Sequence, residues 1–116
     1  MRLEEKMSNF SDVMGYLGLA PAEAAAALNV SEDEILRWCS TSEAPPLHIW
    51  QGLVRMLDEI RVAAEEAAKS ADLDHLEAAD LNSIDLMVPG QAASEFAGPK
   101  RAATALAVAA IARVFV

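Results

Sequence analysis

The stretch Pro21–Trp38, PAEAAAALNVSEDEILRW, decides how this chain is read. Proline suits a first helical turn, where its missing N–H costs nothing, and alanine carries that helix to Leu28. Asn29 follows, a residue that tolerates the left-handed backbone of a tight turn. Ser31 and Glu34 then spell S-x-x-E, in which each side chain satisfies an orphan backbone N–H at a helix start. The helix they open runs to about Ser40, with Ile35 and Trp38 three apart and pointing inward. Ala25 is small enough to let the two helices approach, Leu28 adds apolar surface, and Val30 plugs the corner. The stretch predicts two short helices joined by a tight turn.

Working outward, Phe10, Val13, Met14 and Leu17 fall at helical spacing and predict a helix from about Asn9 to Gly18, with Ser11 and Asp12 as its caps. Thr41–Pro46 is a polar, proline-rich connection. A fourth helix is expected from Pro46 to about Lys69, with Leu47, Trp50, Val54, Leu57, Arg61 and Ala64 as its inward stripe. At about 1.5 Å per residue it is roughly 36 Å long, more than a three-helix core needs. Its second half is free to bridge to the C-terminal part or to pair with another chain.

Beyond Ser70, Asp72–Asp80 is acidic and suggests a helical turn or two. Ile84–Val88 reads as a short strand closed by Pro89-Gly90, Pro99 opens a last helix to about Ala110 or Ala112, and Arg113–Val116 is β-prone. The expected architecture is therefore mainly α. A helical domain over 9–70 ends in the long fourth helix, and a small αβ segment over 71–116 is a candidate dimerisation arm.

Composition narrows the function. The 116 residues are 53% hydrophobic and only 5% aromatic, which favours alanine-rich helices over a β-sandwich. Nine basic against eighteen acidic residues leave a net charge of −9, which argues against a nucleic-acid coat or an anionic membrane partner. The start MRLEEKMSNF has no apolar core of a secretory signal, and the run Ala102–Ala112 is too short for a bilayer, which needs about 20 residues. The expectation is a cytoplasmic protein. A single cysteine, Cys39, excludes an internal disulfide and a multi-cysteine zinc site.

Chemistry-bearing patterns are sparse. His48 and His75 are 27 residues apart with no matched carboxylate spacing. Asp72, Asp74, Glu77 and Asp80 lack the order of a calcium loop and read as a solvated face. Cys39 has no evident histidine partner, and the five glycines make no phosphate-binding pattern. Lys100-Arg101 is the one basic pair. Neither an enzyme, a metal nor a cofactor is expected.

The spacing over Pro21–Trp38 is that of a helix-turn-helix. The words APAEAAAALNVSEDEILRW and the following STSEAPP resemble the lambda-repressor-like (Xre/Cro) family over roughly residues 10–60. The resemblance implies an N-terminal helix-turn-helix bundle acting as a DNA-binding transcriptional regulator, whose dimers read two half-sites with the second motif helix in the major groove. Carried over by position, the reading face is Ser31, Glu32, Asp33, Leu36 and Arg37. That face departs from the basic and amide side chains usual there. From Met1 to Ile60 the bases are Arg2, Lys6, Arg37 and Arg55 against ten acids. An acid can accept from a cytosine amine only where basic neighbours hold the phosphates. A second possibility therefore stands beside DNA: the same scaffold binding a protein, as an adaptor, an antirepressor or a DNA-mimicking phage-type inhibitor. A basic rim around Ser31–Arg37 favours the first, and a continuous acidic face favours the second. A homodimer is expected for the regulator, built by the fourth helix or by the open strand edge of the tail.

Overall fold

The computed structural model describes residues 8–40, 43–88 and 96–116 and is mainly helical. The helices are α1 (Asn9–Leu17), α2 (Pro21–Leu28), α3 (Glu32–Ser40), α4 (Leu47–Lys69) and α5 (Ala97–Ala112). Short 3₁₀ turns lie at Leu73–His75, Ala78–Asn82 and Arg113–Phe115. The chain divides into two compact units, Met1–Arg55 and Met56–Val116.

In the first unit, α1 and α2 both pack on α3. The true cap of α1 is Ser8, not Ser11 or Asp12. Ser8 has extended backbone, and its hydroxyl oxygen accepts the Ser11 N–H at 3.1 Å. Ser11 lies in the first turn with Asp12, one turn too late to be the cap. The Ser8 hydroxyl also donates to the Trp38 carbonyl at 2.6 Å, and its backbone N–H donates to the Cys39 carbonyl at 3.2 Å. One residue thus opens α1 and satisfies carbonyls in the last turn of α3. Gly18 closes α1 in the left-handed conformation at φ 66°.

Between α2 and α3 the chain turns on Asn29, at φ 59° and ψ 48°. The Val30 N–H donates to the Ala25 carbonyl at 3.0 Å, closing the end of α2. At the start of α2 the Ala20 N–H donates to the Glu23 carboxylate at 2.9 Å. The small residue buried on α2 is Ala24, with no exposure, whereas Ala25 is half-buried. The core also holds Phe10, Met14, Leu17, Leu19, Ile35, Trp38, Ile49 and Leu53. Phe10 meets Trp38 and Trp50 edge-on, at ring-centre separations of 5.7 and 5.9 Å. Such contacts add to area burial by about 0.5–1.5 kcal/mol each.

The inward face of α4 is not the expected one. Leu47, Val54 and Arg61 are exposed, Trp50 and Leu57 are half-buried, and of the expected stripe only Ala64 is buried. Ile49, Leu53, Ile60, Ala63, Ala64 and Ala67 form the buried series. Ile49, Leu53 and Ile60, four and seven residues apart, each lie one position before Trp50, Val54 and Arg61 of the expected stripe, and they include two isoleucines that stripe left out.

In the second unit, Ala64, Ala67 and Ala107 form a small core, with Ala68, Leu86 and Val88 packed against it. Within this unit the second half of α4 packs against α5 and the segment around Leu86 and Val88. The αβ appendage, however, has no strand among the described residues. Ile84–Val88 carries no regular structure, and Arg113–Phe115 continues from α5 as a 3₁₀ turn. A β-prone run joined directly to a helix extends the existing hydrogen-bonded turns more readily than it opens an unpartnered strand. The expected turn at Pro89-Gly90 and the first two residues of the Thr41–Pro46 connection lie outside the described residues.

Two measurements check this packing. Trp38→Ala should cost about 3–5 kcal/mol in urea unfolding, since Trp38 is 3% exposed. On α4, Leu53→Ala should cost about 2–5 kcal/mol and its neighbour Val54→Ala no more than about 0.5 kcal/mol. Equal costs at positions 53 and 54 would contradict the observed phase.

Candidate functional site

The outer face of α3 follows from what its inner face is made of. Ile35 and Trp38 are 1% and 3% exposed, and an α-helix turns about 100° per residue. Fixing those two inward sends Glu32, Asp33, Leu36, Arg37 and Ser40 to solvent. All five residues assigned by resemblance, Ser31, Glu32, Asp33, Leu36 and Arg37, are exposed. The structure brings them together at the start and outer side of one helix.

Their roles divide. The Ser31 hydroxyl accepts the Glu34 N–H at 3.1 Å and donates to the Glu34 carboxylate at 3.2 Å, which also accepts the Ser31 N–H at 3.0 Å. This reciprocal box holds the start of α3 and engages Ser31 in structure. Glu32 and Asp33 stand in the first turn beside it, where acids oppose the positive end of the helix dipole. Leu36, at 45% exposure, is the apolar residue of the face. Arg37 is the cation of α3, and its guanidinium Nε lies 3.3 Å from a Glu43 carboxylate oxygen. Ser40 sits one turn beyond Leu36 and donates its hydroxyl to the Leu36 carbonyl at 2.7 Å. Sequence reasoning missed Glu43, which lies within the polar Thr41–Pro46 connection and has no helical spacing to mark it. It also missed Ser8, although a serine immediately before Asn9-Phe10 is a fair cap signal.

Net charge over the face is negative. Its exposed acids Glu32 and Asp33 lie next to an ion pair, and Arg55 belongs to α4. Arg2 and Lys6, the other bases of a possible rim, lie outside the described residues.

Other candidate groups have local explanations. His75 Nδ1 lies 2.7 Å from Asp72 Oδ2 on an exposed 3₁₀ turn. The Asp80 carboxylate accepts the Glu77 N–H at 2.9 Å, so part of the acidic run serves as turn caps. His48 is exposed. Among the described residues no group of three or more His, Cys, Asp or Glu side chains is placed to hold a metal ion. No helix of the described residues is long and apolar enough to cross a membrane. Cys39 is half-buried, and burial pushes its thiol above the ordinary value, opposed in part by a hydrogen bond with the Ser11 side chain.

The chain matches no family model, no curated protein and no solved structure.

Two predictions follow from the site's construction. Ser31→Ala should destabilise the unit by about 1 kcal/mol, read as a lower urea midpoint at constant slope. At pH 8 the native Cys39 should react with iodoacetamide severalfold more slowly than in the urea-unfolded chain, because the thiolate is the nucleophile. The folded state holds the thiol proton more tightly, so this group's contribution is full below the unfolded thiol pKa. It falls as pH rises from about 9.0 through the folded value.

Proposed function

We propose that the N-terminal unit is a helix-turn-helix scaffold that recognises a protein through the outer face of α3, as an adaptor, an antirepressor or a DNA-mimicking inhibitor. One observation carries it: the exposed face opens on Glu32 and Asp33, places Leu36 beside them, and holds Arg37 against Glu43. A helix entering the major groove leads with its N-terminal residues, and two carboxylates there meet the phosphate charge head-on. The same two carboxylates and an exposed leucine match a partner surface that is basic around an apolar pocket. Electrostatic complementarity then selects the partner and speeds encounter, while Leu36 supplies desolvated contact.

DNA is the second possibility, as for a dimeric transcriptional regulator. It is favoured by the inward rotation of Ile35 and Trp38, which presents the five positions that the family resemblance assigns to base reading.

Fluorescence anisotropy on a duplex from upstream of the gene separates the two. No saturable binding is expected even near 50 mM salt, where phosphate attraction is strong. In the protein arm, Leu36→Glu should weaken the partner complex at least about tenfold, roughly 1.4 kcal/mol, with an unchanged circular dichroism spectrum and melting temperature. Binding to the upstream duplex that beats a scrambled one, and that Arg37→Ala weakens, would overturn the protein reading in favour of DNA.

A further inference from the structure

We infer that Ile84–Val88 is one half of an intermolecular strand pair, docking antiparallel on the same segment of a second copy of this chain. The inference concerns the second compact unit and does not depend on the α3 face.

The segment has the side-chain pattern of a strand. Ile84, Leu86 and Val88 are half-buried, while Asp85 and Met87 are exposed, Met87 to 84%. Leu86 and Val88 pack on the alanine core of Ala64, Ala67 and Ala107, which anchors one face. No backbone hydrogen bond joins Ile84–Val88 to another described residue. A packed segment with alternating faces and an unused ladder of N–H and C=O groups invites a strand partner. A groove of about 620 Å³ lies beside it, between Leu86–Val88 on one side and Lys100, Arg101 and Thr104 of α5 on the other.

Charge and register choose the occupant. The groove carries two cations, and Asp85 is the acid within the segment itself. In an antiparallel pair centred on Leu86, Ile84 faces Val88 of the second copy and Asp85 faces Met87 of the second copy. Met87 lines the groove with Lys100 and Arg101, so Asp85 of the second copy arrives beside those cations. The two-fold axis repeats the contact and closes the assembly at two. A register centred on Asp85 would instead set two carboxylates opposite each other, and a one-residue slip of one strand would turn its packed face outward.

The test is sedimentation equilibrium of the full chain over about 1–200 µM protomer, because a dimer's population depends on protomer concentration. A reversible monomer–dimer equilibrium is expected. Asp85→Lys should weaken it at least about tenfold, by placing like charge beside Lys100 and Arg101. One of Met87→Pro and Val88→Pro should weaken it as well, since successive N–H groups point to opposite edges and one of the two is a ladder donor. The triple exchange Asp85→Lys, Lys100→Glu, Arg101→Glu should restore dimerisation, which a merely misfolded variant would not do. Circular dichroism confirms that each variant is folded. A chain that stays monomeric throughout would overturn the inference. So would a dimer indifferent to Asp85→Lys and to both proline variants, or a triple exchange that fails to recover.

Discussion

Everything presented by the first unit depends on how Phe10 is seated. Its ring is 1% exposed and lies edge-on to both Trp38 of α3 and Trp50 of α4. The positive ring edge against a negative ring face is a directional contact, so it constrains rotation as well as distance. With Trp38 held in this way and Ile35 one turn before it, α3 has one rotational setting. The outer face of Glu32, Asp33, Leu36 and Arg37 is the complement of that setting. Which residues α3 presents to solvent is thus a consequence of an aromatic contact on the opposite side of the helix.

Polar contacts fix what the rings leave free, the position of α3 along its own axis. At its start, Ser31 and Glu34 exchange hydrogen bonds, and at its end Ser8 takes up the Trp38 and Cys39 carbonyls. Asn29 adopts the left-handed conformation that lets α2 turn into α3 within three residues. A rigid helix with both ends tied is a good carrier for side chains that must match another surface, because little conformational entropy remains to be lost on binding.

Legibility in the sequence tracked how local each signal was. The box at Ser31 and Glu34, proline at position 21 and Asn29 in the turn act within a few residues, and helix boundaries over 9–69 could be placed from them. Periodicity on α4 was harder. Trp50 and Leu57 drew the apolar stripe toward themselves, yet both are half-buried while Ile49, Leu53 and Ile60 are the buried set. Residue size does not by itself set helix phase: Trp38 is buried, whereas Trp50 is half-buried and meets Phe10 edge-on. The choice of Ala24 over Ala25 was invisible, since a run of identical alanines has no phase. The strand pattern of Ile84–Val88 was legible as alternation, but whether a strand forms depends on a partner that lies elsewhere. The acids and Leu36 of the candidate site were found by position, whereas the Arg37–Glu43 pair depends on how the chain leaves α3.

The acids at the start of α3 link helix stability to the charge of its outer face. Three carboxylates in one first turn are favourable against the helix dipole, each by about 0.3–1 kcal/mol when exposed. Only Glu34 is also used in the capping box. Glu32 and Asp33 thus steady the helix through charge alone, with both side chains exposed. A change toward lysine or arginine there would favour phosphate, but it would remove that dipole stabilisation and add a repulsive charge at the positive end. A neutral serine or glutamine would keep the helix with a smaller loss and no bias. Keeping two full negative charges gives α3 a firm start and an acidic outer face, so the sign of that face follows from the local electrostatics of folding.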